Sequence, residues 1–375
     1  MFQRDNLNLV VSLAKGQHEV VRDQVTKGAF DFDSLYDFIA QHQLRGTVYP
    51  ILANSPVCEA FPSDLIDRLE SFYSRQRAKN EQMIRELKLL SSAFSRAGQG
   101  FILLKGPHLA QRYYGSLDSR VFWDIDILVK RNELAHAAQL LTRSGFKRTS
   151  HILLNKALTI YFTHALDFSK GGVAVDLHWA LRNRPSYKFD YQDIWGKKRP
   201  FYLDDTLLYV LSDQHALVLN LISIFNDLEV GKLRLKSLID LYMMTKAMDG
   251  SVDWNQFLAD REPENVLKIS VNVLNLFLTL FNSHGEFPDI ASAVSRRRGL
   301  LEFTDPRTIE KLITHSRVGL THRIRVARLY QVSRSRLLVW WILSSPFRRA
   351  AFRSGKVSRL KSDVRRLQRY FGMRP

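Results

Sequence analysis

The apolar positions of this chain change period twice. Up to about residue 97 they recur at helical spacing, from about 98 to 200 they gather in short runs, and from about 204 the helical spacing returns. Leu35, Phe38 and Ile39 share one face of a segment, Phe30 to Leu52, that predicts a helix ending near Pro50. Pro62-Ser63-Asp64 then opens a long helix through Leu65, Leu69, Phe72, Met83, Leu87 and Leu90, with Ser63 as its N-cap. Ala97-Gly98-Gln99-Gly100 stops it. In the middle region Phe101 to Leu104 reads as a strand, followed by Lys105-Gly106-Pro107 and a helix to about Tyr114. Gly115 to Arg120 is a loop, Val121 to Lys130 a strand, and Asn132 to Ser144 a helix closed by Gly145. Leu158 to Phe168 and Val173 to Trp179 read as two strands joined by Ser-Lys-Gly-Gly, a hairpin signal. Asp204 to Glu286 is helical, and helices continue to about Val332. The expected fold class is α+β, a small mixed sheet flanked by helical regions. The expected division is 1–97 helical, 98–200 core, 201–330 helical and 331–375 a tail.

With 45% hydrophobic and 11% aromatic residues the chain has ample material for a core. Its single cysteine, Cys58, excludes an internal disulfide framework and a cysteine-based zinc cluster, and no disulfide-linked partner is expected. A reducing, cytoplasmic setting fits that usage. The N-terminal stretch carries an early acid and a broken apolar run, unlike a signal peptide. The longest apolar runs, Val271 to Phe281 and Leu337 to Leu343, are too short to span a bilayer. The expectation is a soluble protein or one held peripherally at the inner membrane surface.

Charge changes this picture. The net +18 is almost wholly C-terminal: residues 291–375 hold 21 Lys/Arg against Glu302, Asp305, Glu310 and Asp363, and the rest is nearly neutral. Residues 317–374 interleave arginines with Trp340, Trp341 and Phe347. Three readings stand for this tail: an arm for nucleic acid, a segment lying on anionic membrane, or a solvated basic surface docking an acidic partner.

Asp124 and Asp126 lie one residue apart in RVFWDIDILVK. On a strand they share a face, and two adjacent carboxylates repel unless a cation lies between them. Such hard oxygen donors suit Mg²⁺ (or Mn²⁺) with substrate phosphates, although a solvated edge strand gives the same pattern. Asp176, in VAVDLHW, supplies a third carboxylate from a strand that can lie beside the first. Lys105-Gly106 stands at a strand-to-helix junction, where backbone N–H groups and the helix dipole favour a phosphate. Arg120 can pair with phosphate, with these carboxylates, or in a structural ion pair. His178 shares the face of Asp176, either orienting a ligand or buried and satisfied; the same two readings stand for His108.

In this order, LLKGPHLAQRYYGSLDSRVFWDIDILVKRNELAHAAQLLTRSGF followed by VDLHWAL resembles the nucleotidyltransferase superfamily with the DNA-polymerase-beta-like palm. The likeness is to an uncharacterised bacterial branch in which Lys-Gly replaces glycine-serine. LKSLIDLYMM and VDWNQFL, around Asp240 and Trp254, look like its helical C-terminal part, and the resemblance covers roughly residues 30–260. It implies Asp124 and Asp126 as paired metal ligands and Asp176 as the third carboxylate, activating an acceptor hydroxyl. Gly106, with Lys105, would stand at the nucleotide-phosphate loop, with an NTP as substrate. Pro107 departs from the family pattern: it has neither hydroxyl nor N–H, so Lys105 or Arg120 would replace one phosphate contact. The alternative is a catalytically silent module of this family that recruits nucleic acid, anionic membrane or a partner through its tail. A glycosyltransferase is a third reading, disfavoured by the short core and the Lys-Gly loop.

Overall fold

The computed structural model describes residues 2–27, 30–149, 163–182, 186–231, 233–314 and 320–331. Four short helices open the chain: α1 (Phe2–Lys15), α2 (His18–Thr26), α3 (Phe32–Gln41) and α4 (Arg45–Ala53). They precede α5 (Ser63–Arg96), 34 residues without glycine or proline. The expected single helix from Phe30 to Leu52 is thus two, α3 and α4, with Pro50 inside the second. Ser63 is not the cap of α5: Pro62 holds that place, and no side chain caps it.

Seven strands form one mixed sheet: β1 (Ile102–Leu103), β2 (Ile125–Leu128), β3 (Lys147–Arg148), β4 (Ala165–Lys170), β5 (Val173–His178), β6 (Arg199–Leu203) and β7 (Thr206–Val210). Their order is β3-β4-β5-β2-β1-β7-β6. Helices α6 (Pro107–Tyr114), α7 (Leu134–Arg143) and α8 (Tyr191–Gly196) are set between strands. The C-terminal helices are α9 (Asp213–Val230), α10 (Leu235–Ala247), α11 (Trp254–Ala259), α12 (Leu267–Leu280), α13 (Pro288–Ser295), α14 (Pro306–Thr314) and α15 (Leu320–Arg328). Among the described residues no helix is long and apolar enough to cross a membrane. The tail from residue 332, with Trp340, Trp341 and Phe347, lies outside the described residues, as does the start of the expected strand from Leu158.

The period-two alternation of β2 and β5 divides the core. Ile125, Ile127, Val129, Val175 and Leu177 pack on one side of the sheet against Leu87, Leu90 and Phe94 of α5 and Leu134, Ala137 and Leu141 of α7. The opposite side faces a larger cluster that joins residues of α1, α3, α4 and α6 to those of α9, α10 and α12. Residues from both ends of the chain therefore cover the face that carries the aspartates.

Two expectations are corrected here. The strand Val121 to Lys130 is paired only over Ile125–Leu128, so Asp124 precedes it. Its lead-in has no sheet partner, yet it is fixed from α5. Gln76 Nε2 donates to Phe122 O at 3.1 Å, and Asn80 Nδ2 donates to Arg120 O at 3.4 Å. Buried carbonyls outside a sheet need such donors. From the other side α4 comes so close that a Cβ on Gly46 would lie 1.9 Å from Val121 Cγ2. The hairpin β6–β7 is the second correction, because the stretch from Asp204 read as helical and the strands instead run to Val210. The chain reverses at Asp204, in a left-handed conformation (φ 51°) that aspartate tolerates better than most residues.

The N-terminal helices are tied to α10 by His42, whose Nδ1 accepts from Leu235 N at 3.2 Å. Burial lowers the His42 pKa from 6.5 to about 4. The folded protein therefore holds this ring neutral, while the unfolded chain takes up a proton below 6.5. Stability should be lost as pH falls from 6.5 towards 4, by up to roughly 3 kcal/mol for this group. His42→Asn, whose carbonyl can accept the same bond without titrating, should remove that share of the slope in urea unfolding measured at successive pH values.

Candidate metal centre and phosphate loop

Register places the carboxylates. β2 and β5 run parallel with Asp126 opposite Asp176, and β4 runs antiparallel to β5 with Asp167 opposite Asp176. The hairpin turns at Gly171 and Gly172, both at positive φ (53° and 84°), which glycine adopts without a Cβ penalty. Two residues beyond Asp176, on the same face, His178 Nε2 donates to Asp126 Oδ1 at 3.0 Å. Lys105 Nζ approaches Asp126 Oδ2 at 3.2 Å. That contact is an ion pair, with Oδ2 buried beside the ammonium. One ligand atom from each of Asp126, Asp176 and His178 lies within 4.8 Å of the others.

The local charges push these groups apart. Burial would raise Asp126, but Lys105 and the His178 hydrogen bond outweigh it and hold the carboxyl below the usual carboxylate range. Asp124 is raised by burial and by the charge of Asp126. Asp176 is raised from 3.8 to about 6 by burial, then by Asp126 and Asp124. Lys105 is raised, chiefly by Asp126. Burial and mutual repulsion thus raise Asp124 and Asp176, while Lys105 and His178 keep Asp126 ionised. The donor set, two carboxylates and an imidazole within 4.8 Å of one another, fits a divalent cation.

The loop Lys105-Gly106-Pro107 is held against this cluster. Leu104 N donates to Asp126 O at 2.9 Å, so the loop begins one residue from a direct tie to the central aspartate. Gly106 has φ +94°, and a Cβ there would meet only ordinary contacts with Phe122, so the backbone conformation alone calls for glycine. Pro107 opens α6. His108 is a core residue, with both ring nitrogens buried and unpartnered; burial lowers its pKa to about 3.

Arg120 goes elsewhere. Its Nε donates to Asp240 Oδ1 at 2.7 Å and its Nη2 to Oδ2 at 2.8 Å, while the Tyr114 hydroxyl donates to Oδ1 at 2.6 Å. Both members of this bidentate pair are buried, Arg120 to 4% exposure. The guanidinium is engaged with a carboxylate of α10 and not with Asp124, Asp126 or the loop, because a buried Asp240 requires a matched donor pair.

With this geometry established, the chain was compared with known proteins. A family model described as an uncharacterised nucleotidyltransferase matches residues 28–282. The chain belongs to that family. No curated protein matches it.

In this member of the family the fold brings together Asp126, Asp176, His178 and Lys105, with Asp124 beside them. Arg120 stands apart in its pair with Asp240. Sequence reading missed Asp167, although a two-residue turn at Gly171-Gly172 fixes the register that sets it opposite Asp176. It also missed Lys236 and, one helical turn on, the pairing of Asp240 with Arg120, having named Asp240 only as part of the family's helical run. Their only local signal is a Lys–Asp (i, i+4) spacing, common on any helix surface.

Two measurements test the site. In Mn²⁺ titrations followed by electron paramagnetic resonance, Asp126→Asn should weaken binding by at least ~10-fold. The Asp176 proton must leave as the cation enters, so wild-type affinity should fall as pH drops below about 6 and level off above it. Asp240→Asn leaves Arg120 buried without a counter-charge and should cost roughly 3 kcal/mol in urea unfolding at neutral pH.

Proposed function

We propose that this chain transfers a nucleoside monophosphate from an NTP to an acceptor hydroxyl, releasing pyrophosphate. The observation that carries this reading is the single register row of Asp126 and Asp176, bounded by His178 and by the Lys105-Gly106 loop. In the proposed step the acceptor oxygen attacks the α-phosphorus, and its proton passes to an Asp176 carboxylate oxygen. The bond from the α-phosphorus to the oxygen bridging to the β-phosphorus breaks, and pyrophosphate carries away that electron pair.

Asp176 suits the role of base. It lies in register with Asp126 and, unlike Asp126, is only partly buried. Lys105, with a side chain 40% exposed, presents charge to the cleft while fixed on Asp126. α6 begins at this loop, and its first N–H groups, apart from the one that Pro107 lacks, have no partner within the helix. A bound Mg²⁺ or Mn²⁺, on Asp126 and Asp176 with Asp124 beside them, would neutralise phosphate charge and hold the donor in line.

The acceptor is set by surfaces outside this row. The charge excess of residues 291–375 supports an anionic docking partner, nucleic acid or membrane, for that part of the chain. A cytoplasmic location agrees with NTP use.

The test is to incubate the protein with each labelled NTP, Mg²⁺ or Mn²⁺ and candidate acceptors, beside an Asp124→Ala/Asp126→Ala variant. Metal-dependent NTP binding or turnover should appear in the wild type and vanish in the variant. Its absence in the wild type across all four nucleotides would overturn the proposal.

A further inference from the structure

The phosphate loop is poor in available donors. Pro107 has no N–H, Lys105 is ion-paired with Asp126, and Arg120 is bound to Asp240. A triphosphate nonetheless brings several negative charges into this cleft. A further cation, on α10, lies within electrostatic reach of Asp124 and Lys105.

Lys236 precedes Asp240 by one helical turn, and its Nζ lies 3.6 Å from Asp240 Oδ2, beyond hydrogen-bond distance. Asp240 already accepts two bonds from Arg120 and one from Tyr114. Two cations therefore share one carboxylate, and Lys236 holds the outer place with no hydrogen bond of its own among the described residues. Its side chain is only 14% exposed, so water does little to compensate the charge. The charged groups that act on it are Arg120, Asp240, Lys105 and Asp124. Reciprocally, Lys236 and Lys105 both favour the charged form of Asp124. Lys236 thus stands at the carboxylate that binds Arg120, four residues before Asp124, and lies within electrostatic reach of Asp124 and Lys105. Its pKa is lowered from 10.5 to about 8, first by burial and then by Arg120.

We propose that Lys236 is a phosphate-binding residue of the cleft, donating to an oxygen of the donor triphosphate, or of the pyrophosphate released, in place of the loop contact that Pro107 cannot make. The inference rests on the nucleotidyl-transfer reading and adds a ligand-touching residue from the C-terminal helices. A merely structural lysine would instead serve to neutralise Asp240, which Arg120 already does.

The experiment compares wild type, Lys236→Met and Lys236→Arg by calorimetric titration with inorganic tripolyphosphate and with each NTP, all with Mg²⁺. Mn²⁺ binding and urea unfolding are measured in parallel. Lys236→Met should weaken tripolyphosphate and NTP binding by roughly tenfold to a hundredfold, the loss of a charged hydrogen bond. It should leave Mn²⁺ affinity and the unfolding midpoint in place, and Lys236→Arg should restore most of the triphosphate affinity. Wild-type triphosphate binding in Lys236→Met overturns the inference and leaves nucleotidyl transfer standing. A loss of binding that tracks a fall in stability, not restored by arginine, overturns it in favour of a structural role. A wild type that binds no triphosphate overturns both.

Discussion

Asp126 is a carboxylate buried in the middle of a sheet, 2% exposed, with a second carboxylate in register beside it and a third just ahead of it. A buried charge is strongly unfavourable without a close partner, and three acids together add repulsion. Much of the surrounding architecture answers that constraint. β1 runs antiparallel to β2, so the chain leaving β1 returns Lys105 to Asp126. β5 runs parallel, so that the residue two beyond Asp176 brings an imidazole to the same oxygen pair. The lead-in to β2 is held by amide side chains of α5 and not by strand neighbours.

A second charged cluster binds the sheet to the helices that follow it. Arg120, four residues before Asp124, is locked to Asp240 of α10, with Tyr114 of α6 completing the carboxylate's hydrogen bonds. The phosphate-loop helix, the approach to the metal centre and the C-terminal helices thus meet at one buried carboxylate. Bidentate geometry makes this junction directional, since a guanidinium and a carboxylate match in only a narrow range of orientations. α10 is consequently fixed relative to the lead-in of Asp124 and Asp126, and Lys236 is carried on that helix.

Much of the centre was legible in the sequence because it is local. The alternation of Asp124 and Asp126 with isoleucines, the glycine pair at 171–172 and the Lys-Gly at a strand-to-helix junction are each short-range patterns with a direct backbone meaning. The long helix α5 was legible for the same reason, through unbroken periodicity bounded by Pro62 and Gly98. The β6–β7 hairpin was not: its turn is Asp204-Asp205 where Asn-Gly or Asp-Gly is the usual signal, and its apolar residues also suit a helix onset. Asp167 was overlooked because cross-strand pairing requires the hairpin register to be carried outward from its turn.

The sequence by itself determined the composition of the centre: which carboxylates share a strand face, where a phosphate-approachable glycine stands, and that the charge excess lies beyond residue 290. Only the tertiary structure decided who partners whom. It assigned His178 and Lys105 to Asp126 and drew Arg120 away to Asp240, 120 positions along the chain. It also set Lys236 against the Arg120–Asp240 pair. The physical reason is that strand and helix periods are set by neighbouring residues. The pairing of buried charges depends on which elements the hydrophobic core brings together, and on desolvation that exists only once they have packed.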